Sequence, residues 1–193
     1  HGKGYLKNVH SSDYSYLNEM DTKCMKRFRG EHPAIMKKKV ADFKNDFKRI
    51  GHATRVARYA ERIGKKENGM LAVILAAAYL HDIGIHEAEK KHGSTAAEFQ
   101  EAEGPPIARS ILEKLGAKEE LINEVCDIVG HHHHPRSGDS LNFKVVYDSD
   151  LLENIDEKQK KAPRSKEEIV NLIEKSFLTD GGRETAREVL LGG

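Results

Sequence analysis

Leu71-Ala72-Val73-Ile74-Leu75-Ala76-Ala77-Ala78-Tyr79-Leu80-His81-Asp82 is the stretch whose reading decides the fold. Its first ten residues are apolar and dominated by strong helix formers, so they predict a helix without a polar face. Such a helix belongs in the centre of a helical domain, buried on all sides. The run is well short of the roughly 18 residues a membrane span requires. It ends on His81 and Asp82, which it delivers into the core, and Gly84 lets the chain turn away afterwards. A buried carboxylate costs several kcal/mol unless it is paired or bound to a metal, so Asp82 needs a partner.

Working outward, His52, Val56, Tyr59 and Ile63 recur at i, i+4, i+7 and i+11 on a preceding helix that faces His52 inward, with Gly64 as its stop. Asn68 is a candidate cap for the central helix. Upstream, Pro33 opens an amphipathic helix bearing Ile35, Met36, Val40, Phe43 and Phe47, and residues 1–30 read as an arm packed on the domain. Downstream, the polar segment His86 to Gly104 reads as a loop with a short helix around Ser94 to Glu101, a candidate lid. Pro105-Pro106 opens the next helix, with Ile107, Ile111, Leu112 and Leu115 inward. Lys118 to His132 repeats the pattern with Ile122, Val125, Val129 and His132. Leu141 to Ile155 forms a further helix.

In that helix Phe143, Val146 and Asp150 share a face, while Val145, Asp148 and Leu152 form a second stripe about 160° away. Periodicity leaves the choice between Asp148 and Asp150 open. A polar linker from Asp156 to Arg164 leads to Ser165-Lys166-Glu167-Glu168, which has capping-box spacing for a helix bearing Ile169, Leu172, Ile173 and Phe177. Gly181-Gly182 breaks that helix, and a last short one runs to about Leu191. No alternating strand pattern, internal repeat or low-complexity tract is present, so the expected fold is all-α: a single-domain helical bundle over residues 31–193, with its motif core at 47–155.

His52, His81, Asp82 and an Asp near 150 combine imidazole nitrogen with carboxylate oxygen. That set accepts Zn, Fe, Mn, Ni or Co, with Mg a harder alternative, and leaves the metal's identity open. Gly51-His52-Ala53-Thr54-Arg55-Val56, Leu80-His81-Asp82-Ile83-Gly84 and Asp148-Ser149-Asp150-Leu151-Leu152, in that order, resemble the H, HD, D signature of the HD-domain metal-dependent phosphohydrolase superfamily. The resemblance selects Asp150 over Asp148. It implies a divalent metal held by His52, His81, Asp82 and Asp150, with open positions for a water that attacks phosphorus.

The internal run His131 to His134 extends this expectation. Ile128-Val129-Gly130-His131-His132 resembles the helix end that supplies ligands to a second metal in the binuclear branch, with the HD aspartate as bridge. The resemblance therefore implies one or two ions per chain, with His131 and His132 as second-site ligands or, failing that, as proton donors to the leaving oxygen. His133 and His134 fall at the pocket edge. The imidazole expected upstream is missing, and Glu103 is its candidate replacement, with ordinary surface charge the other reading. Arg136 is a candidate phosphate clamp.

Composition narrows the functional classes. The 193 residues suit one domain with a proper core, and the 32 basic against 31 acidic residues argue against a stable nucleic-acid partner. The stretch from Lys23 to Arg49 is nevertheless rich in Lys and Arg, either a solvated face or a field for phosphate-bearing substrates. Cys24 and Cys126 are too few and too far apart for a disulfide framework or a cysteine zinc site. His1-Gly2-Lys3-Gly4 lacks a signal-peptide core, and the expected location is cytoplasmic, without membrane attachment. The expected activity is hydrolysis of a small phosphorylated substrate, such as a nucleotide or other phosphoester, by a monomer or homodimer. Missing Gly-Tyr-Pro after the histidines, where His134-Pro135-Arg136 stands, argues against the cyclic-dinucleotide branch. Di-iron oxygen activation on the same scaffold, and a non-catalytic metal-stabilised binding module, are the alternatives.

Overall fold

The computed structural model describes residues 47–192. The expected arm, the helix opened by Pro33, most of the basic stretch and Cys24 lie outside the described residues. Within them the chain forms eight helices: α1 (Phe47–Lys66), α2 (Leu71–Leu80), α3 (Ile85–His92), α4 (Ala97–Lys114), α5 (Glu119–Val129), α6 (Leu141–Lys161), α7 (Lys166–Ser176) and α8 (Asp180–Leu191). No strand occurs among the described residues.

Helix α2 is the hub, buried from Ala72 to Leu80 and packed against α1, α5 and α6. Full burial of a side chain such as Ile74 or Leu80 contributes roughly 1.5–3 kcal/mol, so the apolar run is the main source of cohesion. Leu71 to His92, which spans α2, the turn after it and α3, contains an 18-residue window with the mean hydropathy of a membrane span, 1.3, but 78% of that window is buried inside the protein, as befits a core segment. Helices α1 and α6 lie along each other and flank α2, while α4 pairs with both α3 and α5. A second cluster, formed by Leu152, Ile155, Ile169, Ile173, Phe177 and Ala186, seats α7 and α8 against the distal half of α6.

Several local expectations are corrected by tertiary contacts. Helix α1 continues through Gly64 to Lys66, because that glycine marks a close approach: a Cβ there would lie 2.9 Å from Leu71 Cδ2 and 3.0 Å from Ile74 Cδ1 of α2. Asn68 does not cap α2 but takes the left-handed conformation (φ 56°) in the turn between α1 and α2. The α2 start is held instead by Asn142 Oδ1, which accepts from Met70 N at 2.9 Å. The segment read as a lid forms helix α3 and the first half of α4 instead of a loop with a short helix, with Ile85 and Ala88 buried and Glu89 paired to Arg49 of α1.

Pro105-Pro106 does not open a helix. Both residues lie inside α4, although each removes one i→i−4 hydrogen bond. The crossing of α4 with the turn after Asp82 holds that part of the helix in place. A Cβ on Gly84 would fall on the Gln100 carbonyl oxygen and lie 2.6 Å from Gly104 N, so the two backbones are in direct contact. Gly84→Ala is therefore expected to destabilise the fold by about 1–3 kcal/mol, because backbone must move and not a flexible side-chain tip. Urea unfolding checks this, and an unchanged midpoint would contradict the crossing.

Helix α5 ends at Val129, with Gly130 as cap, and not at His132. Helix α6 runs on to Lys161, so much of the expected polar linker is helical. Ser165 and Glu168 form the expected capping box. Gly181 and Gly182 occupy the first turn of α8 instead of breaking a helix. They lack a Cβ where Glu67 and Asp148 press against the helix start.

Candidate metal centre

Four elements converge at one end of α2. His52 projects from α1, His81 and Asp82 follow the last turn of α2, His132 sits in the turn after α5, and Asp150 lies mid-way along α6. His52 Nε2 is 3.0 Å from Asp150 Oδ1 and 3.9 Å from Asp82 Oδ2. His81 Nε2 is 3.4 Å from Asp82 Oδ2 and 3.6 Å from Asp150 Oδ1, and His132 Nε2 is 3.6 Å from Asp82 Oδ1. One oxygen of Asp82 thus faces His52 and His81, and the other faces His132.

The backbone selects the tautomer of the two innermost rings. His81 Nδ1 lies 2.8 Å from Ala78 O and His132 Nδ1 lies 2.9 Å from Val129 O. A carbonyl can only accept, so each Nδ1 donates, and in the neutral ring Nε2 presents a lone pair. Both Nε2 atoms point at Asp82, and that of His132 is buried without a hydrogen bond. Lone pairs directed at carboxylate oxygens across 3.4–3.6 Å need positive charge between them, and this donor set fits a divalent cation. Donor atoms of His52, His81 and Asp82 lie within 4.8 Å of one another, as do those of Asp82, His132 and His133.

Electrostatics keep the carboxylates ionised. Burial pushes Asp82 up, but His81 and His132, which carry a proton on Nε2 when no cation stands between them and the carboxylate, outweigh it and hold the carboxyl well below the usual range. Burial likewise opposes ionisation of Asp150, and the hydrogen bond to His52 leads the groups that overcome it. Burial, followed by the neighbouring His132, keeps His133 below the ordinary histidine range. The side chains of His81 and His132 are 1% and 2% exposed, whereas those of His52, Asp82 and Asp150 are 13–17% exposed. The centre therefore opens to solvent on the side of His52, Asp82 and Asp150.

The model of the HD domain matches residues 49–175, a span that contains His52, His81-Asp82, His132 and Asp150. The chain belongs to the HD domain family. HD domains are generally metal-dependent. The HD chain is also similar in structure to a predicted HD superfamily hydrolase from an uncultured Thermotogales bacterium. The TM-score is 0.62 and identity 24%, covering 84% of this chain and 86% of the other. At that identity the likeness speaks for the fold. No curated protein matches the chain.

The remaining site candidates of the HD chain are placed elsewhere. His131 is buried but faces away from the cluster: Nδ1 lies 2.6 Å from Asp127 O, Nε2 lies 2.8 Å from Asp139 Oδ1, and the ring stacks on Phe143 at 4.4 Å. With both nitrogens engaged, it anchors the histidine turn. Glu103 binds Lys91 at 2.7 Å and His92 at 3.1 Å between α4 and α3, and does not join the five-residue cluster. Arg136 is exposed, 3.7 Å from Asp127.

Three residues near the centre were missed in the sequence. Glu101, buried on α4, accepts from His133 N at 2.9 Å and lies 2.8 Å from His134 Nδ1, which braces the histidine turn. Its signal was the α4 register, hidden by the assumption that a helix starts at Pro105. Arg55 and Glu153 form a contact between α1 and α6 with Nε and Oε1 2.5 Å apart. They sit three residues after His52 and Asp150, a spacing visible in the sequence but silent about which helices face each other.

Proposed function

We propose that this HD domain is a metal-dependent phosphohydrolase that cleaves a phosphoester of a small phosphorylated substrate, with a nucleotide as one candidate. The observation that carries the reading is the convergence of three imidazoles and two carboxylates, two of the imidazoles held with Nε2 lone pairs toward Asp82, in a centre open on one side. His52, His81, Asp82 and Asp150 would hold the first ion. Asp82 and His132, with His133 beside them, could hold a second. A divalent ion supplies Lewis acidity toward phosphoryl oxygen and lowers the pKa of water from about 15.7 towards 7.

The chain's own residues supply the arrangement. Asp82, facing imidazoles with both of its oxygens, fixes the relative positions of the α2 and α5 ends. Asp150 orients His52 through their 3.0 Å contact and is itself held by Asn154 Nδ2 at 3.0 Å. Ala78 and Val129 carbonyls lock His81 and His132 in the ligand-competent tautomer. The buried inner wall excludes water from one face and leaves substrate access at the other.

The test is stripping with chelator, reconstitution with single divalent metals, and assay of p-nitrophenyl phosphate and a nucleotide panel. Phosphate release is expected to depend on added metal and to vanish on chelation. Stoichiometric metal uptake with no turnover of any phosphoester would instead favour a metal-stabilised binding module.

A further inference from the structure

The contact between Arg55 and Glu153 has an asymmetry that a purely structural ion pair does not need. Two rungs join α1 to α6: His52 Nε2 to Asp150 Oδ1 at 3.0 Å, and one helical turn further on, Arg55 Nε to Glu153 Oε1 at 2.5 Å. Glu153 is 1% exposed, and its second oxygen is buried without a hydrogen bond. The Arg55 side chain is 38% exposed. Arginine and carboxylate ordinarily meet as a two-bond fork. Here only Nε is engaged, and Nη1 and Nη2 have no hydrogen-bond partner among the described residues.

The free edge lies one helical turn back along α1, at the level of His52. Side chains on a helix lean toward its N-terminus. Arg55 Nη1 accordingly reaches the level of Gly51, where a Cβ would lie 3.1 Å from it. The guanidinium thus lies beside the residue that precedes His52, which is one of the partly exposed members of the centre. Glycine at position 51 leaves room for it.

We propose that Arg55 is the phosphate-gripping residue of this site, offering the paired N–H groups of Nη1 and Nη2 to two phosphoryl oxygens of the substrate. Glu153 is its positioning residue: by accepting the Nε–H hydrogen bond from a buried location, it turns the remaining donors outward. This deepens the phosphohydrolase reading and rests on it. It replaces Arg136, which is exposed and paired with Asp127, as the clamp.

The experiment uses the metal-loaded chain and the variants Arg55→Ala, Arg55→Lys, Glu153→Ala and Glu153→Gln. It reads inorganic phosphate binding by calorimetry, KM and kcat on p-nitrophenyl phosphate, and metal content and melting temperature. Arg55→Ala is expected to weaken phosphate binding and raise KM about tenfold to a hundredfold at unchanged metal content. Arg55→Lys recovers only part of this, since an ammonium cannot present a planar pair. Glu153→Gln, which can still accept from Nε, recovers most of the KM lost in Glu153→Ala. If Arg55→Ala fails to fold, Arg55→Lys and Glu153→Gln carry the same comparison. Variants that melt lower but keep wild-type phosphate affinity and KM overturn the proposal and leave a structural ion pair. A wild-type protein that binds no phosphate and hydrolyses no phosphoester overturns the underlying reading as well, which distinguishes the two failures.

Discussion

Asp82→Ala is expected to give a folded protein that retains no metal and loses turnover by on the order of a thousandfold or more, equivalent to about 4 kcal/mol of barrier stabilisation. The reason lies in the division of labour between its two oxygens. Oδ2 faces His52 and His81 and Oδ1 faces His132, so removing this one carboxylate strips charge from both candidate ligand groups at once. The imidazoles that remain are neutral donors, and affinity for a divalent ion falls with the lost anion. Asp82→Asn, which keeps the shape and one carbonyl acceptor, should show the same direction with less strain. Elemental analysis and the phosphoester assay read the two effects, with circular dichroism as the check on folding. Wild-type metal content and turnover in Asp82→Ala would remove Asp82 from the centre.

The second large effect is on stability and lies on the opposite side of α6. Asp148 is fully buried and accepts from Leu178 N at 2.8 Å, Thr179 N at 2.9 Å and Thr179 Oγ1 at 2.6 Å. Thr179 Oγ1 in turn caps α8 by accepting from Gly182 N at 2.9 Å. Asp148→Ala leaves the two buried Thr179 donors and the part-buried Leu178 N–H without an acceptor, each buried one costing about 1–3 kcal/mol, so a total loss of about 3–5 kcal/mol is expected in urea unfolding. That is a large share of the 5–15 kcal/mol typical of a domain. A loss under 1 kcal/mol would show that α8 is not held through Asp148.

Asp148 also carries a pH signature. Burial pushes its carboxyl up to about 6, outweighing the lowering by hydrogen bonds from Leu178 and Thr179. An ordinary unfolded aspartate titrates near 3.9, so folding favours the protonated form. The resulting stability is present in full below about pH 4 and lost as pH rises through 6. Relative to Asp148→Asn, which does not titrate, wild-type stability should fall across that window by at most roughly 3 kcal/mol. A flat difference between pH 4 and 7 would contradict the burial effect.

These two aspartates show what was legible in the chain. The all-α fold and the central place of α2 were readable because an apolar run without a polar face has one physical solution, burial among other helices. The capping box at Ser165 was readable because its chemistry is local. The ordered His52, His81-Asp82 and Asp150 were readable as ligand types, and the structure brings them together. Periodicity offered Asp148 and Asp150 equally, since a helix buried on two sides has two inward stripes. The family resemblance selected Asp150, and the packing of α1 and α2 on one side, and of α8 on the other, gives the physical difference between the two carboxylates.

By itself, then, the sequence determined the helical class, the hub helix and the residue types of the candidate metal centre, because burial preference and donor chemistry belong to individual residues and short segments. The tertiary structure decided the rest. Pro105 and Pro106 stay within α4 because Gly84 and Gly104 bring two backbones into contact. His132 enters the cluster while His131 turns to Asp139, because helix α5 ends at Val129 and the turn after it sends neighbouring rings opposite ways. Arg55 meets Glu153 across 98 residues of chain. Such pairings depend on which surfaces meet in space, and local propensity and periodicity carry no term for a partner so distant in sequence.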